Sequence, residues 1–351
     1  MATAAILKHV AFAVLLALFS AGVVRTMIAV RLMDTPDARK SHTRPTPKGG
    51  GVGIVLAFLI GLAALYRFAE FARLADPYFK GVILTSVAIS IVAFLDDLYD
   101  WPFFAKLGIQ VLAAVVAVST GLYLHEYRVP GLGEVTVGLV GIPLTMLWLL
   151  FATNAMNFID GLNGLASGTV LIACLFLGGI AAFHGAWFVY GACGLLAAGI
   201  AGFLPFNYPH ARIFMGDVGS QFCGFMLAVL AVVAGRIEGV TLSFLLVPML
   251  VSGVLYDVAF TLVRRWKDGE RVTQAHRGHL YQVAQRCGTP APMVAAIHWG
   301  FTVFGGLCCL LFLVAPWPAK ALVPFLTLVP QAIWTRHVIG LARRNGLARW
   351  G

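Results

Sequence analysis

Charge is what this sequence has least of. Lysine, arginine, aspartate and glutamate make up 11% of its 351 residues, against about 25% in a typical soluble domain. A water-soluble fold is therefore excluded. Acids are the scarcer half, 15 against 25 basic residues. The six cysteines, Cys174, Cys193, Cys223, Cys287, Cys308 and Cys309, have no CxxC or CxxxH spacing and mostly fall inside apolar runs. That pattern suggests neither a disulfide framework nor a zinc site. Internal repeats, low-complexity tracts and polar stretches long enough for a separate extramembrane domain are missing as well. The basic residues are not gathered into one stripe with interleaved aromatics, and no nucleic-acid module is present, so no nucleic-acid partner is expected.

What is present is apolar length. Hydrophobic residues supply 60% of the chain, and mean hydropathy is +0.88. Only helices and closed barrels satisfy their backbone polar groups within lipid, and continuous rather than alternating apolar runs favour helices. Runs near the roughly 17 to 25 residues that cross a bilayer predict spans at about 6–28, 50–66, 81–95, 107–124, 136–152, 165–183, 188–204, 221–234, 241–262, 293–313 and 322–335. The first carries a small-residue site at Phe19-Ser20-Ala21, but its apolar length continues past Ala29, so it reads as a retained helix. The expected fold is all-α, a polytopic membrane protein of about 10–11 transmembrane helices forming one integral-membrane domain over 1–351. With the loop after the first span placed inside, 17 Lys and Arg fall on the inner side and 6 on the outer. That bias predicts an outside, periplasmic N-terminus and a cytoplasmic C-terminus. The net charge of +10 makes anionic membrane lipids and anionic substrates the expected electrostatic partners.

In this topology the polar clusters share the cytoplasmic face, in loops near 31–50, 96–106, 153–164, 205–220 and 263–292. Asp96-Asp97-Leu98-Tyr99-Asp100 closes one span, with Lys106 downstream. Neighbouring carboxylates raise one another's pKa and need compensation, which Lys106 can supply; loop solvation or helix capping is the plainer reading. Asn154, Asn157 and Asp160, at i, i+3 and i+6, lie near one face of a helical turn and run into Gly161, Asn163 and Gly164. The stretch from Pro205 to Ser220 holds Asn207, His210, Arg212 and Phe214-Met-Gly216-Asp217-Val-Gly219-Ser220. Its backbone amides at a helix start suit an anion, with N-capping as the alternative. His276-Arg277-Gly278-His279 offers phosphate donors and proton-shuttling imidazoles; a solvated surface loop is the alternative. Asp257, inside an apolar run, is read as a structural hydrogen-bonding residue facing the bundle. Arg31, Arg39, Lys40, His42, Arg44 and Lys48 mark the inner surface, and Gly49-Gly50-Gly51 beside Lys48 can admit a phosphate.

Five of the fifteen acids (Asp96, Asp97, Asp100, Asp160, Asp217) sit in these motifs. Oxygen donors from several helix ends suit magnesium, with manganese as the second choice, because such ions take one or two protein ligands plus substrate phosphates.

The order and spacing of the double Asp with a downstream Lys, of Asn154-Ala-Met-Asn157-Phe-Ile-Asp160-Gly161-Leu-Asn163-Gly164-Leu, and of Phe214-Met-Gly-Asp217-Val-Gly-Ser220 resemble the polyprenyl-phosphate N-acetylhexosamine-1-phosphate transferases. The likeness runs from Pro47-Lys48-Gly49-Gly50 through the histidine loop. It implies a bacterial inner-membrane enzyme with its site in the cytoplasm, using a UDP-N-acetylhexosamine and polyprenyl (undecaprenyl) phosphate, releasing UMP, and compatible with a homodimer. It further implies that Asn157 and Asp217 hold magnesium. Asp96, Asp97, Lys106, His276 and His279 would be catalytic, and Lys48, Asn154, Asp160, Asn163, Asn207, Arg212 and Arg277 would bind substrate. The peptidoglycan branch usually carries a histidine run in the last loop and an Asp where this chain has Asn163. His-Arg-Gly-His and Asn163 therefore point to the branch that starts O-antigen, lipopolysaccharide or another surface polysaccharide, with phospho-MurNAc-pentapeptide transfer as the alternative. Intramembrane prenyltransferases want a second Asp-rich motif, and secondary transporters want a midplane site with repeat symmetry. This chain has neither.

Overall fold

The computed structural model describes residues 2–35, 44–68, 76–99, 101–129, 133–235, 242–271, 273–274 and 276–347. Asp100, Arg39, Lys40 and His42 lie outside the described residues. The chain is a helical membrane bundle: α1 (Ala2–Val30), α2 (Gly51–Phe68), α3 (Asp76–Tyr99), α4 (Phe103–Ser119), α5 (Gly141–Ile159), α6 (Leu165–Phe183), α7 (Trp187–Asn207), α8 (Asp217–Ala234), α9 (Leu246–Leu250), α10 (Ser252–Lys267), α11 (Leu280–Arg286), α12 (Ala291–Val314), α13 (Ala319–Leu326) and α14 (Leu328–Arg344). Two small antiparallel ribbons interrupt it. β1 (Met33–Asp34) pairs with β2 (Thr46–Pro47), Met33 opposite Pro47, and β3 (Glu126–Val129) pairs with β4 (Gly133–Thr136), Glu126 opposite Thr136.

Among the described residues eight helices are long and apolar enough to cross a bilayer: most of α1, α2, most of α3, α5 with the turn before it, α6, α7, α8 and α12. Three expected spans take other forms. The run at 107–124 becomes the shorter α4, the run at 241–262 breaks at Val251 between α9 and α10, and the run at 322–335 breaks at Thr327 between α13 and α14. The polar stretch 263–292 is also less of a loop than its composition predicts. It holds the basic last turns of α10 and all of α11.

Burial follows solvent rather than hydrophobicity. Apolar all round, α8 is 94% buried, whereas the equally apolar α1 is only 17% buried, because lipid leaves an exposed leucine uncosted. Around α8 pack α2, α3 and α5, and the edge of Phe222 meets Phe58 of α2 with ring centroids 5.3 Å apart. Helices α1 to α8 alternate in direction. The C-terminal ends of α1, α3, α5 and α7 and the N-terminal ends of α2, α4, α6 and α8 therefore meet at one end of the bundle, where the polar motifs lie.

Candidate active site

One cavity of about 280 Å³ gathers side chains from these ends: Asp34 of β1, Lys48, Asp96 and Asp97 of α3, Lys106 of α4, Asn157 and Asp160 at the end of α5, Asn163, Asn207 of α7, Asp217 of α8, and Gln282 of α11. Adjacent residues of a helix point about 100° apart, and Asp96 and Asp97 use that difference. Asp96, 2% exposed, turns toward α4. Its Oδ2 is 2.7 Å from Lys106 Nζ, and its Oδ1 accepts from the Trp101 amide (3.1 Å). Asp97 turns toward α8, where its two oxygens accept from the amides of Asp217 (3.1 Å) and Val218 (3.0 Å), with Lys48 Nζ at 3.8 Å.

The first amides of a helix lack intrahelical acceptors and carry the positive end of its dipole. Asp97 thus caps α8 from a different helix, and in doing so fixes where Asp217 begins. Gly216 makes the approach feasible, since it has φ +77 and a Cβ there would stand 2.7 Å from Asp97 Oδ2. Backbone bonds tie the Lys48 segment into the same corner: Phe214 N to Pro47 O (2.8 Å), Gly50 N to Phe214 O (2.9 Å) and Gly51 N to Met215 O (2.8 Å).

The Asp217 carboxylate is the centre of the arrangement. Its Oδ2 is 3.5 Å from Lys106 Nζ and accepts from Gln221 Nε2 at 3.2 Å, and the side chains of Asp96 and Asn157 reach the same carboxylate. From Gln221 a chain of amides runs into the bundle: Gln110 Nε2 donates to Gln221 Oε1 (3.1 Å), and Asn154 Nδ2 donates to Gln110 Oε1 (2.6 Å). Asn154 is therefore held behind the cavity wall. Asn207 is likewise occupied in shaping the turn, its Oδ1 accepting from Gly164 N (2.7 Å) while its Nδ2 donates to Ile213 O (3.0 Å). Asn163 Nδ2 donates to Pro209 O (3.1 Å). Beyond the end of α5, Asp160 is held well above the usual carboxylate range by burial, with the carboxylates of Asp217 and Asp97 adding to the effect.

Five carboxylates and two ammonium groups line the cavity, so an anionic ligand needs a further cation. The facing carboxylates of Asp96 and Asp217 share one such charge already, the Lys106 ammonium. Asp217 and Asn157 supply the oxygen donors that magnesium prefers. Among the described residues no group of three or more His, Cys, Asp or Glu is arranged to hold a metal ion by itself.

Several expected site residues stand apart from this lining. Arg212 is exposed, its guanidinium over the Phe206 ring at 5.2 Å. His276, Arg277 and His279 lie outside the cavity wall. His279 is buried, with Nδ1 3.0 Å from Asp257 Oδ1. His276 Nδ1 accepts from the Gly278 amide (3.1 Å). Burial, followed by the nearby His279, Arg265 and Arg264 side chains, pushes His276 down to about 3. It is therefore neutral at neutral pH. Asp257 is the hydrogen-bonding residue expected from its apolar setting. Asp34, Gln110, Gln221 and Gln282 escaped the sequence reading. Gln221 follows Asp217, and Gln110 follows Lys106, by four residues, the spacing that puts two side chains on one helical face.

The glycosyl transferase family 4 model matches residues 79–235, the stretch from α3 to the end of α8. The chain is 32% identical over 259 residues to a probable undecaprenyl-phosphate N-acetylglucosaminyl 1-phosphate transferase of Bacillus subtilis, covering 73% of this chain and 70% of that protein. It is 28% identical over 332 residues to a decaprenyl-phosphate N-acetylglucosaminephosphotransferase of Mycobacterium tuberculosis, covering 86% and 81%. It is also 29% identical over 238 residues to a phospho-N-acetylmuramoyl-pentapeptide-transferase of Streptococcus thermophilus, covering 63% and 68%. With the family motifs converging on one cavity at the end of a multi-pass bundle, the chain belongs to glycosyl transferase family 4, the polyprenyl-phosphate N-acetylhexosamine-1-phosphate transferases.

Proposed function

We propose that this enzyme moves an N-acetylhexosamine 1-phosphate from a UDP-sugar onto undecaprenyl phosphate, releasing UMP and starting a surface polysaccharide such as O-antigen, at the cytoplasmic face of a bacterial inner membrane. The observation that carries the reading is the convergence of five carboxylates and two lysines from separate helix ends in one cavity. The names of the relatives support the lipid acceptor and the sugar class. The excess of Lys and Arg on the same side as the motifs supports a cytoplasmic site.

Phosphoryl transfer is mainly positioning and charge neutralisation. Magnesium held by Asp217 and Asn157 would supply charge withdrawal from the diphosphate. Lys106, now shared between Asp96 and Asp217, is placed to turn toward the leaving UMP. Asp97 has both oxygens committed to backbone amides, so its part is to hold the start of α8. Asp96 has one oxygen on the Trp101 amide and the other on the Lys106 side chain, and orients the lipid phosphate or removes its residual proton. A phosphate monoester, with a second pKa of about 6, is largely dianionic at neutral pH and attacks directly, in a single displacement.

The test is the purified chain in detergent with magnesium, undecaprenyl phosphate and a panel of UDP-sugars that includes UDP-N-acetylglucosamine, its 6-deoxy relatives and UDP-MurNAc-pentapeptide. UMP release with a lipid-diphosphate-sugar product, identified by mass, is expected. Release of UDP, or turnover unaffected by chelation of divalent cations, would overturn the reading. A burst of UMP without lipid acceptor would replace direct displacement by a phospho-aspartate route.

A further inference from the structure

Asp257 stands in α10 with 1% of its surface exposed, where a carboxylate needs partners. Most of them come from one direction. Oδ1 accepts from His279 Nδ1 (3.0 Å) and Leu280 N (3.0 Å), Oδ2 accepts from Tyr281 N (3.1 Å), and His298 Nε2 of α12 is 4.0 Å away. All but His298 belong to the start of α11. Tyr281, also 1% exposed, then reaches across to α5, where its hydroxyl donates to the Phe158 carbonyl at 2.9 Å. Phe158 follows Asn157 and precedes Asp160 by two residues. The contact depends on Gly161, because a Cβ at that position would collide with the Tyr281 hydroxyl. Gln282, the next residue of α11, lines the cavity, and its Oε1 accepts from His279 N at 3.3 Å.

Neither Asp257 nor Tyr281 lines the cavity, yet each fixes something that does. We infer that the two are positioning residues forming one two-point attachment. Asp257 clamps the start of α11 to α10, and Tyr281 ties it to the turn after α5, so that Gln282 and the histidine loop keep a fixed register with Asn157 and Asp160. The kinetic consequence rests on the proposed function, whereas the attachment itself is measurable without substrate.

The experiment is hydrogen exchange on the full-length chain in detergent, with steady-state kinetics on the same preparations, for Tyr281→Phe, Asp257→Asn and the double variant. Tyr281→Phe deletes one hydroxyl and serves as the mild probe should Asp257→Asn fail to fold. In Tyr281→Phe, exchange should rise about tenfold both in residues 280–286 and, across the contact, in residues 158–164. Turnover should fall about tenfold, since small misplacements of a site are costly, while KM for undecaprenyl phosphate stays within about twofold because the Asp96 corner is untouched. The double variant should be no slower than Asp257→Asn alone, as expected for residues acting as a unit. Faster exchange confined to 280–286, turnover of Tyr281→Phe at the wild-type level, or losses that multiply in the double variant would each overturn the inference. If no UDP-sugar yields UMP, the proposed function fails and the exchange arm decides by itself: spread to 158–164 supports the attachment, and confinement to α11 refutes it.

Discussion

Of two cavities at opposite ends of the bundle, the larger has the poorer chemistry. The second, about 460 Å³ between α1, α2 and α7, is walled by residues such as Phe12, Leu16, Leu65 and Leu195, with His9, Trp187 and Tyr190 as its main polar features. The first is about 280 Å³ and carries five carboxylates and two lysines. Helix α7 contributes Tyr190 to one and Asn207 to the other, about 25 Å apart at 1.5 Å per residue. Volume near lipid is cheap to leave apolar, whereas carboxylates at the end of a membrane bundle are retained against a desolvation cost. Chemistry therefore makes the smaller cavity the candidate site.

The contrast is broken most directly by charge removal. Asp217→Asn should lower UMP release about a thousandfold, roughly 4 kcal/mol of barrier, in protein that still inserts and elutes as a folded species. His9→Ala combined with Tyr190→Phe, in the other cavity, should stay within about twofold of wild type. Equal losses from the two sets would erase the distinction.

The next effect separates the adjacent acids. Asp96→Asn should reduce turnover about a hundredfold and leave the apparent melting temperature and nucleotide affinity nearly unchanged. Asp97→Asn should also melt a few degrees lower, because it weakens charge-assisted bonds worth about 2 kcal/mol to the start of α8. Thermal scans and nucleotide titrations on both variants read the difference, and identical behaviour would deny Asp97 its capping role.

A smaller loss is expected behind the wall. Gln221→Leu cuts the amide chain at Asp217 and should raise the magnesium concentration for half-maximal turnover about tenfold. A direct manganese titration should shift in parallel, and an unchanged titration would make the chain irrelevant to cation binding.

The smallest effect is one of pH. His276 sits far below the ordinary histidine value of 6.5, so as pH falls below that value the unfolded chain takes up a proton that the folded chain refuses. Its contribution to stability is complete at neutral pH and declines toward pH 3. Melting temperatures between pH 7.5 and 5 should therefore fall more steeply in wild type than in His276→Gln, while turnover between pH 6.5 and 8.5 keeps its profile. Matching slopes would show that the imidazole titrates normally.

Much of the site was legible because its residues are exceptions to the composition. Asp96, Asp97, Asp160 and Asp217 stand out in a chain with 15 acids, and all four reach the cavity. Gln110 and Gln221 did not stand out, because an amide in an apolar helix has no charge to betray it and the bond that joins the two spans different helices. The histidine loop presents the opposite case. His279 and Arg277 have the composition of a phosphate clamp, but neither lines the cavity, and the His279 ring is held by Asp257. Span counting was similarly uneven. Length and apolarity located α6 and α7 to within a few residues, but the breaks at Val251 and Thr327 carry neither Gly nor Pro at the break itself.

By itself the sequence determined the solvent, the helical class and the motifs that place this chain in its family. These follow from composition and local spacing, which no tertiary contact alters. Only the tertiary structure decided what surrounds each carboxylate. Asp96 and Asp97 are chemically identical neighbours, and they differ because one faces the Lys106 ammonium and the other the free amides of α8. An ionised group takes its character from the donors that surround it, and those donors are set by the packing of helices distant in the chain.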